Sequence, residues 1–138
     1  MVTGAGAPIG EMVVRSLLDD SRIGHILAVT GHPVEAFPMS DPKRLTVKQV
    51  NLSRSRQLHQ LLFQTAKALK IDVVIHTAMH LSATDEGQRV HAYNVESVRN
   101  LLDLCERHPT IKRLVIRSAS AVYQVQRDLP VLIGEDHP

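Results

Sequence analysis

The run Val2-Thr3-Gly4-Ala5-Gly6-Ala7-Pro8-Ile9-Gly10 constrains this chain more than any other, because a β-branched pair breaks into glycines and a proline that open a helical pattern. A strand that turns directly into a helix is the arrangement that cradles a phosphate. Glycine reaches backbone angles closed to other residues, and it removes side chains that would hold an anion away from the free N–H groups of the helix start. Ile9, Met12, Val13, Ser16 and Leu17 recur at helical spacing and predict one buried stripe, with Glu11 and Arg15 off it. Pro8 suits the first helical position, where its missing N–H is no loss, and Ile9 and Gly10 still offer theirs.

The remaining chain alternates strand and helix signals. His25 to Thr30 reads as a buried strand, and residues 31 to 43, with Pro33, Pro38 and Pro42, read as a loop holding at most one short turn. Arg44 to Val50 is a third strand, and Ser53 is the expected N-cap of a helix whose stripe is Leu58, Leu61, Leu62, Thr65 and Leu69. Asp72 to Ala78 is a short apolar run suited to a strand covered on both faces. Val90, Tyr93, Asn94, Ser97, Val98, Leu101, Leu102 and Cys105 mark a third helix, and Leu114-Val115-Ile116 a fifth strand. This order predicts an α/β, Rossmann-like, doubly wound parallel sheet with strand order 3-2-1-4-5, whose ligand edge lies at the carboxyl ends of the strands.

With 138 residues, 43% of them hydrophobic, the chain has material for one core and reads as one domain over residues 1–138. Sixteen Lys and Arg are dispersed among fourteen acids, with no basic run interleaved by aromatics, so nucleic-acid binding has no support. No stretch approaches the roughly 20 apolar residues of a membrane span, and no basic segment with an apolar core opens the chain, so a cytoplasmic protein is expected. Cys105 sits on an apolar stripe and reads as a buried structural thiol. His76 and His80 straddle a strand end without a third ligand nearby in sequence, so no metal site is predicted.

Five segments, in order, resemble the short-chain dehydrogenase/reductase superfamily, in its extended, epimerase/dehydratase-like branch. Thr3-Gly4 to Ile9-Gly10 resembles the opening T-G-x-x-G-x-x-G, and Asn51-Leu52 stands where the family has an Asp and an apolar residue beside the adenine. Asp72 to Ala78 is similar to D-V-V-I-H-x-A, and Asn94-Val95 with Asn100-Leu101-Leu102 to N-V-x-G-T-x-N-L-L. Arg113-Leu114-Val115-Ile116 through Ser118-Ala119-Ser120-Ala121-Val122-Tyr123 resembles R-x-V-x-x-S-S-x-x-V-Y.

Three departures qualify the resemblance. One glycine is missing: Ala7 replaces it in the extended reading, Pro8 in the T-G-x-x-x-G-x-G reading. Where NAD-specific relatives carry an acid after the second strand, Thr30-Gly31-His32 stands instead, which tilts the expected cofactor from NAD toward NADP. The family's catalytic Ser or Thr position is Ala119, flanked by Ser118 and Ser120, and its Tyr-x-x-x-Lys pair does not occur, so the chain is expected to be part of a longer protein, truncated at both ends relative to the family.

The resemblance implies an NAD(P)-binding domain of an oxidoreductase, epimerase or dehydratase acting by hydride transfer on a hydroxyl or carbonyl carbon, with a nucleotide sugar among the candidate substrates; the alternative is a non-catalytic dinucleotide-binding sensor or scaffold of the same superfamily. The implied cofactor residues are Gly4, Gly6, Pro8, Ile9, Gly10, Gly31, His32, Asn51, Leu52, Thr77, Ala78, Met79 and Asn94, with Ser118 and Ser120 as the catalytic candidates. A homodimer through the 90–107 helix, as in family dimers, is the expected self-association.

Overall fold

The computed structural model describes residues 1–80 and 88–118. Its centre is β1 (Val2–Thr3), a strand of two residues flanked by β2 (Ile26–Thr30) and β4 (Val73–His76). Outside them lie β3 (Leu45–Gln49) and β5 (Arg113–Ile116), giving one parallel sheet of order β3-β2-β1-β4-β5. The register pairs Val2 with Ala28 on one side and with Ile75 on the other. Strand order and the brevity of β1 agree with the sequence reading.

Why the sheet is parallel and covered follows from the alternation of side chains along β2. Leu27 and Val29 enter one core with Leu58, Leu62, Val74 and Leu101, while Ile26 and Ala28 enter the other with Val2, Val14 and Leu45. The first core packs under α2 (Ser55–Gln60) and α4 (Ser97–Glu106), the second under α1 (Pro8–Asp19). Residues 31 to 43 form a loop with one 3-10 turn, Val34–Ala36.

Three local expectations are corrected. The buried face of α1 carries Gly10 and Val14, whereas Ile9 and Met12 are exposed. Hydrophobic spacing alone set the helix about one residue out of rotation, because the turn before it fixes which side Gly10 must present to Gly4. Leu102 likewise faces outward, beside the buried Ser97, Leu101 and Cys105. Ser53 does not cap α2: its own N–H donates to Asn51 Oδ1 at 3.0 Å, and the helix opens after Arg54 without a side-chain cap.

Two helical stretches widen into π turns. α2 continues through Leu61–Ala66, and Ala92–Glu96 joins α3 (Gln88–His91) to α4. His108 braces the first of them. Its Nε2–H donates to Leu62 O at 2.9 Å, while Nδ1 accepts from the N–H groups of Thr110 and Ile111, so both ring nitrogens are used. Cys105 is buried as expected, and burial pushes its thiol up to about 11.

The end of α1 lacks a glycine cap and uses a side chain from β3's approach instead. Arg44 donates to the carbonyls of Leu18 (2.8 Å), Asp20 (2.8 Å) and Ile23 (2.9 Å), satisfying acceptors that a helix end leaves open. A cation at a helix C-terminus also meets the negative end of the macrodipole. Arg44→Met should therefore destabilise the protein by about 2–4 kcal/mol in urea unfolding, with Arg44→Lys intermediate, because charge-assisted bonds to partly buried carbonyls are lost together.

Candidate functional site

At the carboxyl edge of the sheet the chain leaves β1 through Gly4, whose φ is +75°, a left-handed backbone that favours glycine. A Cβ there would lie 2.6 Å from the Ala78 nitrogen, so the turn also needs the bare backbone to pass the end of β4. The N–H of Ala7 donates back to Gly4 O at 3.1 Å, and Pro8 begins the helix. Gly10 closes the unit: a Cβ on it would sit 2.1 Å from Gly4 O, which seats α1 directly on the turn.

Gly6 is explained by its neighbours at the end of β2. Its Cβ would meet Thr30 Oγ1 at 2.5 Å and His32 Cδ2 at 3.3 Å, so the turn and the end of β2 are in close approach. Thr30, buried, accepts the His32 N–H at 3.0 Å and thereby fixes the first step of the loop after β2. Gly31 and His32 are exposed.

The predicted residues thus gather along one edge. Gly4, Gly6, Pro8, Ile9 and Gly10 form the turn; His32 stands over Gly6, with Gly31 exposed in open space beside it in the chain; Thr77 and Ala78 line the other side. The N–H groups of Ile9 and Gly10 have no backbone acceptor among the described residues, and they head a helix of 12 residues. Such a start attracts an anion. Thr77 is bound inward, its Oγ1–H donating to Thr3 O at 2.8 Å. Asn51 is exposed, whereas Leu52 is a core residue, 4% exposed.

Asn94 has a role in the fold that the sequence did not show. Its Oδ1 accepts the His80 N–H at 2.8 Å and its Nδ2 donates to His80 O at 3.0 Å, clamping the loop after β4. Met79, half-buried, lies in that loop. Ser118 is exposed just beyond β5, and Ser120 lies outside the described residues. No three His, Cys, Asp or Glu among the described residues converge on a metal-sized site.

His76 was legible only as a strand residue. Its side chain is 2% exposed and Nδ1 shares a 2.7 Å hydrogen bond with Thr3 Oγ1, while Nε2 has no partner among the described residues. Burial lowers its pKa below the usual imidazole value. The native state therefore stays neutral where the unfolded chain has already taken up a proton, so stability is lost as pH falls below about 6.5, by at most about 1.4 kcal/mol per pH unit for this group. In urea titrations between pH 7 and pH 5, His76→Asn should show a shallower loss of stability than the parent chain.

A hollow of about 570 Å³ lies at the opposite, amino edge, lined by Ile23, Ile26, Leu69, Ile71 and Val73. It has neither a bare-backbone turn nor a helix start, and ligands of open α/β sheets bind at the other edge, so the glycine turn is the better site.

The family model described as "NAD dependent epimerase/dehydratase family" matches residues 1–137. An uncharacterized protein of Mycobacterium tuberculosis is 24% identical over 138 residues, which cover 99% of this chain and 35% of that protein. This chain therefore spans about a third of the length of such a curated relative. Among solved structures, the Bordetella bronchiseptica enzyme WbmH in complex with NAD+ superposes with a TM-score of 0.76 at 21% identity, over 99% of this chain and 44% of that one. A short chain dehydrogenase/reductase from Saccharomyces cerevisiae gives a TM-score of 0.72 at 19% identity, over 90% of this chain and 54% of that one. These likenesses show the Rossmann-like fold.

Proposed function

Since this chain belongs to the NAD dependent epimerase/dehydratase family, we propose that it is the NAD(P)-binding domain of an extended short-chain dehydrogenase/reductase whose whole protein works on a hydroxyl or carbonyl carbon. The observation that carries the reading is the turn itself: Gly4 in a left-handed conformation, Gly10 packed against it, and the N–H groups of Ile9 and Gly10 left over at the start of α1. Those N–H groups would hold the pyrophosphate, and Asn51 with the Leu52 backbone would border the adenine. When bound, the cofactor supplies a hydride donor or acceptor at its nicotinamide. The chain's own contribution is to bind, orient and exclude water, since the family's Tyr-x-x-x-Lys pair does not occur in these residues.

Three finer readings belong to the same proposal. NADP is favoured over NAD, because no carboxylate stands at Thr30-Gly31-His32 to repel a 2′-phosphate and the exposed His32 lies over the turn. Val95 and Leu102, exposed on the 90–107 helix, support a homodimer through that face. A cytoplasmic protein fits a chain in which no helix of the described residues is long and apolar enough to cross a membrane.

Ala7 favours a second reading, a non-catalytic dinucleotide sensor or scaffold. It is the N-cap of α1, exposed, and it occupies the glycine position of the extended pattern, so its methyl stands where a pyrophosphate would approach. Ala119 at the family's Ser or Thr position points the same way.

Ala7 also supplies the cleanest test. As an uncapped N-cap it can be replaced by Asp without disturbing packing, and the carboxylate should stabilise the fold by about 0.5–2 kcal/mol by accepting free helix N–H groups. The same carboxylate should repel a phosphate and compete for those donors, weakening NADPH binding at least tenfold in calorimetry. Ala7→Gly should tighten binding. NADPH affinity unchanged in both variants would place the cofactor elsewhere and overturn the reading.

A further inference from the structure

The imidazole of His108 has its tautomer fixed by partners that can play one part each. Leu62 O can only accept, so the proton is on Nε2, 2.9 Å away; the backbone N–H groups of Thr110 (3.2 Å) and Ile111 (3.3 Å) can only donate, so Nδ1 is bare. The ring is 6% exposed and lies 5.1 Å from the Phe63 ring, which stacks on His59 at 4.7 Å. One side chain thus joins the turn before β5 to the helix that follows β3, across 46 residues of sequence.

The bond lands where the helix is irregular. Leu62 O also accepts the Lys67 N–H, five residues on, the bond that gives the π turn its extra residue. In a regular α-helix this carbonyl would take the Ala66 N–H instead. A donor that inserts from outside draws a carbonyl out of the regular ladder, which is one cause of such distortions. The two halves of the helix are tied to different places. Past the turn, the Ile71 N–H reaches Ala66 O at 2.9 Å, and the Thr110 hydroxyl donates to Ile71 O at 2.6 Å, which fixes that half to the entry of β4. Before the turn, Gln57 Oε1 accepts the Asn51 N–H at 2.9 Å. Asn51 is the residue placed beside the adenine, and both it and Gln57 are exposed. Loss of one residue from the turn rotates one half against the other by about 100°, and the half held by exposed contacts yields first.

We propose that His108 is a positioning residue for the adenine edge of the dinucleotide site: its Nε2–H holds the π turn, and the π turn sets the rotation at which Gln57 meets Asn51. His108 touches no ligand in this role and acts through Leu62 and Gln57. The effect at the adenine rests on the dinucleotide reading, whereas the coupling of His108 to Asn51 does not.

The test uses the folded 138-residue chain and reads the Asn51 amide resonance, which reports its hydrogen bond, together with NADPH affinity by calorimetry. Imidazole ¹⁵N spectra should first show His108 as the Nε2–H tautomer. His108→Leu should move the Asn51 amide in the same direction as Gln57→Leu and weaken NADPH about fivefold, the size of one lost hydrogen bond. His108→Gln, which keeps a donor and an acceptor, should move both readouts only part of the way, and it carries the comparison if His108→Leu does not fold. The double variant His108→Leu with Gln57→Leu should lose no more affinity than either alone, because both act through one contact. A lowered unfolding midpoint with the Asn51 amide unmoved in the His108 variants, additive losses in the double variant, or an Nδ1–H tautomer would overturn the positioning role. An Asn51 amide that moves as expected in a chain that binds no NADPH would keep the coupling and remove the domain assignment; NADPH affinity unchanged while Asn51 moves would remove the role at the adenine.

Discussion

The structure depends on a close approach of backbone to backbone. Gly4 must pass the end of β4 with no side chain between them, and Gly10 must rest on Gly4. These contacts set where α1 begins, how it is rotated and which of its N–H groups remain unpaired. The rotation then places Val14 in the core and leaves Ile9 exposed. The anion-attracting helix start and the packing of half the sheet are consequences of one turn.

Around that turn the polar groups are bound in an ordered way. Thr3 O accepts from both the Thr77 N–H and the Thr77 hydroxyl, Thr30 holds the His32 N–H, and Asn94 holds both backbone groups of His80. Each short polar side chain fixes the first residues of a loop leaving a strand. Rigid strand ends and positioned loops are the general means by which open α/β sheets build sites, because the scaffold holds still while the loops carry the chemistry. His76 stands apart: it shares one hydrogen bond with β1 and its other nitrogen has no partner among the described residues, whereas His108, also buried, uses both.

Much of this was readable from residue order. A glycine turn after a β-branched pair, followed by strands and helices in alternation, gave the sheet order and the edge at which Gly4, Gly6 and Gly10 gather. The exact rotation of α1 was not readable, since the exposed Ile9 and Met12 satisfy helical spacing alongside Val13 and Leu17, which do pack against the core. Nor was the start of α2, because Ser53 has the composition of a cap while Asn51 takes its N–H. The roles of Thr3 and Thr30 were hidden for another reason: both sit at strand ends where a threonine is unremarkable until its neighbour across the sheet is known.

The sequence by itself determined the fold class, the strand order and the glycine turn that opens α1, because these follow from local periodicity and from the backbone freedom of glycine, which act over a few residues. Only the tertiary structure decided which side chains face each other across long separations. It brought Arg44 to the end of α1, Thr30 against Gly6, and Asn94 to His80. It also left His76 Nε2 buried without a partner among the described residues. Such pairings depend on how strands align and helices rotate, and no spacing within one segment encodes them.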